Sequence, residues 1–303
     1  MTRQGVWTGT QNEGMSSTPF VWYDVFTDHR FAGNALAVFP DASGLTVGDM
    51  AQIARELNLS ETTFVLPAET EGTTHRVRIF TPGRELPFAG HPTVGTAVAL
   101  VEASGADHGD LVLGLGAGPT PVSVRRRPDG VLEAQFRAPQ VPRLGPPPVS
   151  AAEAAALVGL SVDDLEPSFP VHQSDAGGTV FLMVRLHSLE ALARSRPVGS
   201  APGVVGIYLA VRTAHGWQSR MYAPAVGVVE DPATGSAAVS FAGSLHAHVE
   251  GYGVDGTHEV TLHQGVEMGR RSELALSFDV LDGLVSEVRL AGAAVKVLDG
   301  VLG

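Results

Sequence analysis

Three ionisable residues stand where their neighbours could turn them to chemistry: Glu61, His91 and Asp231. Two of them occupy equivalent places in an internal repeat. Arg78-Ile79-Phe80-Thr81-Pro82 reappears as Arg220-Met221-Tyr222-Ala223-Pro224. Each copy is followed by one element, His91-Pro92-Thr93-Val94-Gly95-Thr96-Ala97 in the first and Asp231-Pro232-Ala233-Thr234-Gly235-Ser236-Ala237 in the second. The elements lie about 140 residues apart, and their order and matched preceding strands predict two similar units related by duplication. Proline is preorganised for the first helical position, so Pro92 and Pro232 predict helices capped by His91 and Asp231. The residues that follow are apolar or small on nearly every face, as in a helix buried all round within a curled sheet. Such a helix presents unpartnered N–H groups and partial positive charge at its start, which suits an anion. Gly95 and Gly235 are expected to let a ligand approach the backbone. Asp231 alone has two readings, a helix cap or a group facing the ligand. Histidine caps poorly, so His91 points more to a cleft. Glu61, taken by itself, reads first as an exposed carboxylate at a helix-to-strand turn.

The elements that must position these residues follow from pattern. Thr46 caps a helix over 47–57 with apolar residues at helical spacing and Asn58 as its stop. Strands are predicted at 20–26, 62–66, 76–80, 111–115, 121–126 and 131–136, and Ser150 caps an alanine-rich helix to about Leu157. Later strands fall near 179–186, 205–212, 217–222, 259–263, 273–280 and 285–298. Five prolines between Ala138 and Pro148 mark a boundary. The expected organisation is a leader at 1–17 without useful periodicity, taken as disordered, with Met15 an alternative start. A first domain then spans 18–137, a proline-rich linker 138–148 and a second domain 149–303, whose last strand packs back on the first.

Composition removes whole classes of function. The chain has 303 residues and a formal net charge of −12, with no overall field that favours a phosphate backbone, so nucleic acid is not an expected partner. It contains no cysteine, which excludes disulfides, thiolate metal sites and cysteine proton carriers. The single lysine, Lys296, leaves no phosphate loop and argues against Schiff-base chemistry. Gly114-Leu115-Gly116-Ala117-Gly118-Pro119 fails the dinucleotide fingerprint. His258-Glu259 with His263, and His246 with His248, have the wrong spacing or too few ligands for a metal, and none is expected. The 36 glycines and 20 prolines predict many tight turns between short strands. No run approaches membrane-spanning length and no secretory segment opens the chain, so the expectation is a soluble cytoplasmic protein.

Four motifs together carry a resemblance: Phe31-Ala32-Gly33-Asn34, Leu57-Asn58-Leu59-Ser60-Glu61-Thr62-Thr63-Phe64, Phe88-Ala89-Gly90-His91-Pro92-Thr93 and Glu230-Asp231-Pro232-Ala233-Thr234-Gly235-Ser236-Ala237. From about Phe20 to the C-terminus the chain resembles the phenazine-biosynthesis PhzF-like isomerase family and, more distantly, the diaminopimelate epimerase superfamily. The resemblance implies an α+β fold of two similar domains, each a rolled mixed sheet around a central buried helix, with the active site between them. It implies a cofactor-independent isomerase that moves a proton between carbons of a small carboxylated substrate, as in trans-2,3-dihydro-3-hydroxyanthranilate isomerase, and a homodimer is compatible with it. Glu61 would be the general acid/base, His91 and Asp231 would hold and polarise the substrate, and Ser236 with backbone N–H groups of Gly90, Gly95, Thr96 and Gly235 would bind it. The alternatives are an epimerase or racemase on the same scaffold and a noncatalytic metabolite-binding protein. Where related epimerases use paired cysteines, this chain has none. Ala35 and Arg271 depart from prolines common in the family, and Arg271 is a candidate for altered substrate preference.

Overall fold

The computed structural model describes residues 17–303. The leader expected at 1–17 therefore lies almost entirely outside the described residues. Among them, seventeen strands form one hydrogen-bonded network that curls around two helices, Gly90–Ala103 and Gly235–His248. The first helix packs on Thr18–Val25, Asn34–Phe39, Gly118–Arg126 and Leu132–Arg137. The second packs on His172–Asp175, Val180–Arg185 and Ser272–Leu281. The last strand, Leu284–Leu302, touches both. It pairs with Thr18–Val25 and Leu132–Arg137 from the first half and with Ser272–Leu281 from the second, so one long strand carries the sheet from one helix to the other.

The two inner helices are buried on nearly every face, from Gly90 to Ala99 in one and Ala237 to Leu245 in the other. Surrounding a helix with sheet removes its apolar side chains from water on all sides, which is why neither sequence shows an amphipathic stripe. One continuous core joins them, with Val94, Val98 and Val101 at one end and Phe241, Leu245 and Trp217 at the other. Outer helices cover the opposite faces of the strands. Val47–Leu57 inserts Met50, Ile53 and Ala54 against Phe39 and Phe64, and Ala151–Leu157 with Leu189–Arg194 covers Leu182, Val184 and Leu209.

Local signals account for the outer helices. Thr46 and Asp49 form a reciprocal capping box, and Asn58 closes the helix in the left-handed region at φ 50°. Ser150 and Glu153 repeat the device. The inner helices begin differently from the expectation that His91 and Asp231 are their caps. Ala89 and Thr234 are the N-cap residues, and neither makes a side-chain cap bond. His91 lies inside the first turn with Pro92 behind it. Asp231 ends the strand Val228–Asp231, and Pro232, Ala233 and Thr234 intervene before the helix. The Asp231 carboxylate is taken up by side chains rather than helix N–H groups, which draws it away from the cap.

The proline-rich stretch is woven into the sheet: Arg143–Gly145 pairs antiparallel with His172–Asp175. Besides the two-residue Glu85–Leu86, four strands carried no clear alternation in the sequence, namely Asn34–Phe39, Arg143–Gly145, His172–Asp175 and Val228–Asp231. Asn34–Phe39 is almost wholly buried, so it reads as a continuous apolar run, and the other three have only three or four residues.

Candidate active site

The two inner helices meet end to end at their N-termini. A Cβ placed on Gly90 would lie 2.7 Å from the Gly235 Cα, and one on Gly235 would lie 2.7 Å from the Gly90 Cα. The first N–H groups of each helix have no intrahelical acceptor, so Gly90 and His91 on one side and Gly235, Ser236 and Ala237 on the other present donors around one point; Pro92 supplies none. Two partial positive charges converge there.

Glu61 enters from the strand Glu61–Pro67, which runs parallel to Asn34–Phe39 with Leu36 opposite Glu61. This register brings Asn34, Ser60 and Glu61 to the same end of the sheet. Glu61 Oε2 lies 3.4 Å from His91 Nδ1, with the glutamate side chain 16% exposed and the imidazole 4%. Asp231 is buried beside them. Its Oδ1 accepts from Asn34 Nδ2 at 2.8 Å and from Ser60 Oγ at 3.4 Å, and its Oδ2 accepts from Thr234 Oγ1 at 2.5 Å. Gln264 Nε2 donates to the Asp231 carbonyl at 2.7 Å and to Thr234 Oγ1 at 2.9 Å, fixing the turn between strand and helix.

Burial dominates the electrostatics. It raises the Glu61 carboxyl well above the ordinary range, and the nearby charge of Asp231 raises it further. Burial also raises Asp231, but hydrogen bonds from Thr234, Asn34 and Ser60 oppose the shift. The His91 imidazole is driven down to about 3 by burial, against a smaller opposing effect of the Ala35 backbone. His91 is therefore neutral at ordinary pH, and its contact with Glu61 is that of a neutral ring with a carboxyl, not an ion pair. The Ala35 backbone approaches the ring, yet Nε2 is buried without a well-formed hydrogen bond. The arrangement contains a carboxyl disposed to hold a proton, a neutral imidazole within reach of it, a second carboxyl with three donors, and two helix ends that attract an anion. That combination can remove a proton from carbon and return one.

Glu61, His91 and Asp231 thus come together, and Gly90, Gly235 and half-buried Ser236 lie at the helix ends beside them. Gly95 and Thr96 lie deeper and correct the expectation that they border a ligand. A Cβ on Gly95 would meet Leu36 Cδ2 at 2.5 Å and Val25 Cγ2 at 2.7 Å, and Thr96 Oγ1 donates to Thr63 Oγ1 at 2.9 Å in full burial. Both serve helix-to-sheet packing. Arg271 also lies elsewhere: it lines a cavity of about 280 Å³ with Asp28, His29 and Arg127, and its Nη2 is 3.0 Å from His263 Nε2. None of Glu61, His91 and Asp231 lines that cavity. Asn34, Thr234 and Gln264 had no assigned role in the sequence reading. Asn34 and Thr234 stand inside two of the four quoted motifs, while Gln264 carried no signal.

Comparison with known proteins places this chain and its fold in a class. The family model for phenazine biosynthesis-like proteins, PhzC-PhzF, matches residues 23–300, and the chain belongs to that family. It is an isomerase. It is 39% identical over 305 residues to an uncharacterized isomerase of Mesorhizobium japonicum, covering 95% of this chain and 99% of the relative. It is 36% identical over 289 residues to trans-2,3-dihydro-3-hydroxyanthranilate isomerase of Pseudomonas aeruginosa, covering 93% and 98%. Among solved structures, the Bacillus anthracis phenazine biosynthesis protein of the PhzF family superposes with a TM-score of 0.86 at 27% identity, covering 95% of this chain and 99% of that one. The mixed α+β architecture with few helices and a closed sheet is the fold of these proteins. Among the described residues, no helix is long and apolar enough to cross a membrane.

Proposed function

We propose that the protein is a cofactor-independent isomerase that moves a proton between two carbons of a small, conjugated carboxylate, with a reaction similar to that named for trans-2,3-dihydro-3-hydroxyanthranilate isomerase. The observation that carries this reading is the Glu61–His91 contact of 3.4 Å beside two abutting helix N-termini. In this reading the substrate carboxylate docks on N–H groups of Gly90, Gly235 and Ser236 and on the Ser236 hydroxyl. Glu61 as carboxylate takes a proton from carbon and becomes the acid, while the C–H electron pair spreads through the conjugated system. His91 and Asp231 hold the substrate and polarise it as charge develops, when such interactions strengthen most. Glu61 then returns a proton, exchanged with solvent while the carboxyl holds it, to another carbon, so the atoms balance without a further reactant. The raised Glu61 carboxyl supports the role, because a proton carrier works best when its pKa approaches the working pH.

The same reading takes the chain as two similar domains with the site between them, in the cytoplasm. A matched pair of Arg–Glu clamps supports the duplication. Arg78 donates from Nε and Nη2 to the two oxygens of Glu85, and Arg220 donates in the same way to Glu230, each across the short hairpin that leads to an inner helix.

The test is turnover in heavy water across a panel of small carboxylates beginning with 2,3-dihydro-3-hydroxyanthranilate, for wild type and Glu61→Gln. Wild type should incorporate solvent deuterium into an isomerised product, and the variant should lose about 10²–10⁴ of the rate with little change in affinity. Near-normal exchange by the variant would remove Glu61 from the mechanism. Inversion at a stereocentre would instead identify an epimerase with a second base, and binding without exchange would leave a metabolite-binding protein.

A further inference from the structure

Asn34 opens the strand Asn34–Phe39 and is buried, with its side-chain nitrogen facing acceptors from both halves of the chain. Nδ2 lies 2.8 Å from Asp231 Oδ1, 3.0 Å from the Ala233 carbonyl oxygen and 3.3 Å from His91 Nδ1. The Ala233 carbonyl oxygen cannot donate, which determines which end of the amide carries hydrogen. An amide nitrogen has two hydrogens, and the two shorter contacts use both. His91 Nδ1, at 3.3 Å the longest of the three contacts, then faces Glu61 Oε2 at 3.4 Å.

The two carboxyls are consequently unlike. Asp231 receives Asn34, Ser60 and Thr234, whereas Glu61 lies 3.4 Å from His91 Nδ1. The other titratable and charged groups around Asp231 are Glu61, neutral His91 and Glu230, whose charge is held by Arg220. The amide is itself fixed from the second half of the chain. Arg270 donates from Nε to the Gly33 carbonyl at 2.8 Å and from Nη2 to the Ala32 carbonyl and to Asp24 Oδ1, both at 2.7 Å. Asp24 Oδ2 accepts from the Phe31 N–H at 2.6 Å and holds that residue in the left-handed region at φ 69°.

We propose that Asn34 is a positioning residue that makes the two carboxyls unequal: its amide hydrogens bind Asp231 and Ala233, keep Asp231 as the ionised acceptor, and leave the mobile proton to Glu61 and His91. This rests on the acid–base reading of Glu61 given above. Removing the amide deprives buried Asp231 of its shorter donor from the first half of the chain. The two carboxyls then compete for one proton.

The experiment is carbon-detected NMR titration of side-chain carboxyls in protein labelled at Asp and Glu, for wild type, Asn34→Ala and Asn34→Ser. The Asp231 and Glu61 signals are assigned with Asp231→Asn and Glu61→Gln. Serine keeps a small polar side chain but is too short to reach Asp231, so it guards against a folding defect peculiar to alanine. The Asp231 midpoint should rise by about one pH unit in either folded Asn34 variant and draw closer to that of Glu61. With an accepted substrate, kcat should fall about 10- to 100-fold, with KM nearly unchanged and the acid limb of the pH–rate profile displaced. Unchanged midpoints in a folded variant would overturn the proposal, as would shifted midpoints with an unaltered pH–rate profile. Full activity in Glu61→Gln would overturn the functional reading instead, and the titration separates the two failures because it needs no substrate.

Discussion

Gly90 and Gly235 pack backbone against backbone, so that the starts of the two inner helices are separated by no side chain. A Cβ on either would sit 2.7 Å from the other's Cα, a distance that no rotamer change relieves because the obstacle is main chain. Gly235→Ala should therefore force the helix ends apart. A destabilisation of about 1–3 kcal/mol is expected, with a larger proportional loss of turnover. Gly95→Ala meets only the ends of the Leu36 and Val25 side chains, which can shift, so it should cost less and leave catalysis nearly intact. Urea midpoints and turnover of the two variants check the contrast, and equal losses would contradict it.

Removing the proposed proton carrier should make the protein more stable. Burial, then the charge of Asp231, raises the Glu61 carboxyl in the folded state. Such a group holds its proton more tightly folded than unfolded. Its contribution is fully present below the unfolded value of about 4.3 and is lost as pH rises through the higher folded value. Glu61→Gln should consequently exceed wild type in Tm at about pH 8 and lose that advantage below about pH 4. Thermal melts at both pH values test this, and a variant less stable than wild type at the higher pH would refute it.

The two Arg–Glu clamps should differ in energetic weight. The Arg220 and Glu230 side chains are 10% and 13% exposed, and Arg220 also donates to the carbonyls of Leu192 and Ser195 at 3.0 and 2.9 Å. Arg220→Met leaves a buried carboxylate beside Asp231 and should cost about 3–5 kcal/mol. In the first-half clamp Glu85 is 40% exposed, so Arg78→Met should cost about 1 kcal/mol or less. Chemical denaturation of both variants decides the order.

Activity should survive dialysis against a strong chelator. Both oxygens of Asp231 are occupied by donors from the protein, and among the described residues no group of three or more His, Asp or Glu is disposed to hold a metal ion. Loss of turnover that a divalent ion restores would show the opposite.

Much of this was legible in the sequence because it is local or repeated. The capping boxes at Thr46 and Ser150 lie within a single turn, and two all-apolar helices behind His-Pro and Asp-Pro announce buried elements around which a sheet must curl. The chemistry-bearing residues could be named because the duplicated motif isolates His91 and Asp231, and because the family resemblance draws Glu61 to them. Backbone termini and long-range partners were not legible. Whether Asp231 caps a helix or ends a strand depends on Asn34, Ser60 and Gln264 reaching its carboxyl and carbonyl, and sequence distance carries no information about who competes for a lone pair. Gly95 and Thr96 look as available as Gly235 and Ser236 in the motif, yet a little over one helical turn carries them into the packing of Leu36, Val25 and Thr63. Tertiary structure alone decided how the two carboxyls differ, since burial and the donors Asn34 and Ser60 set that difference, and both donors lie more than a hundred residues from Asp231 in the chain.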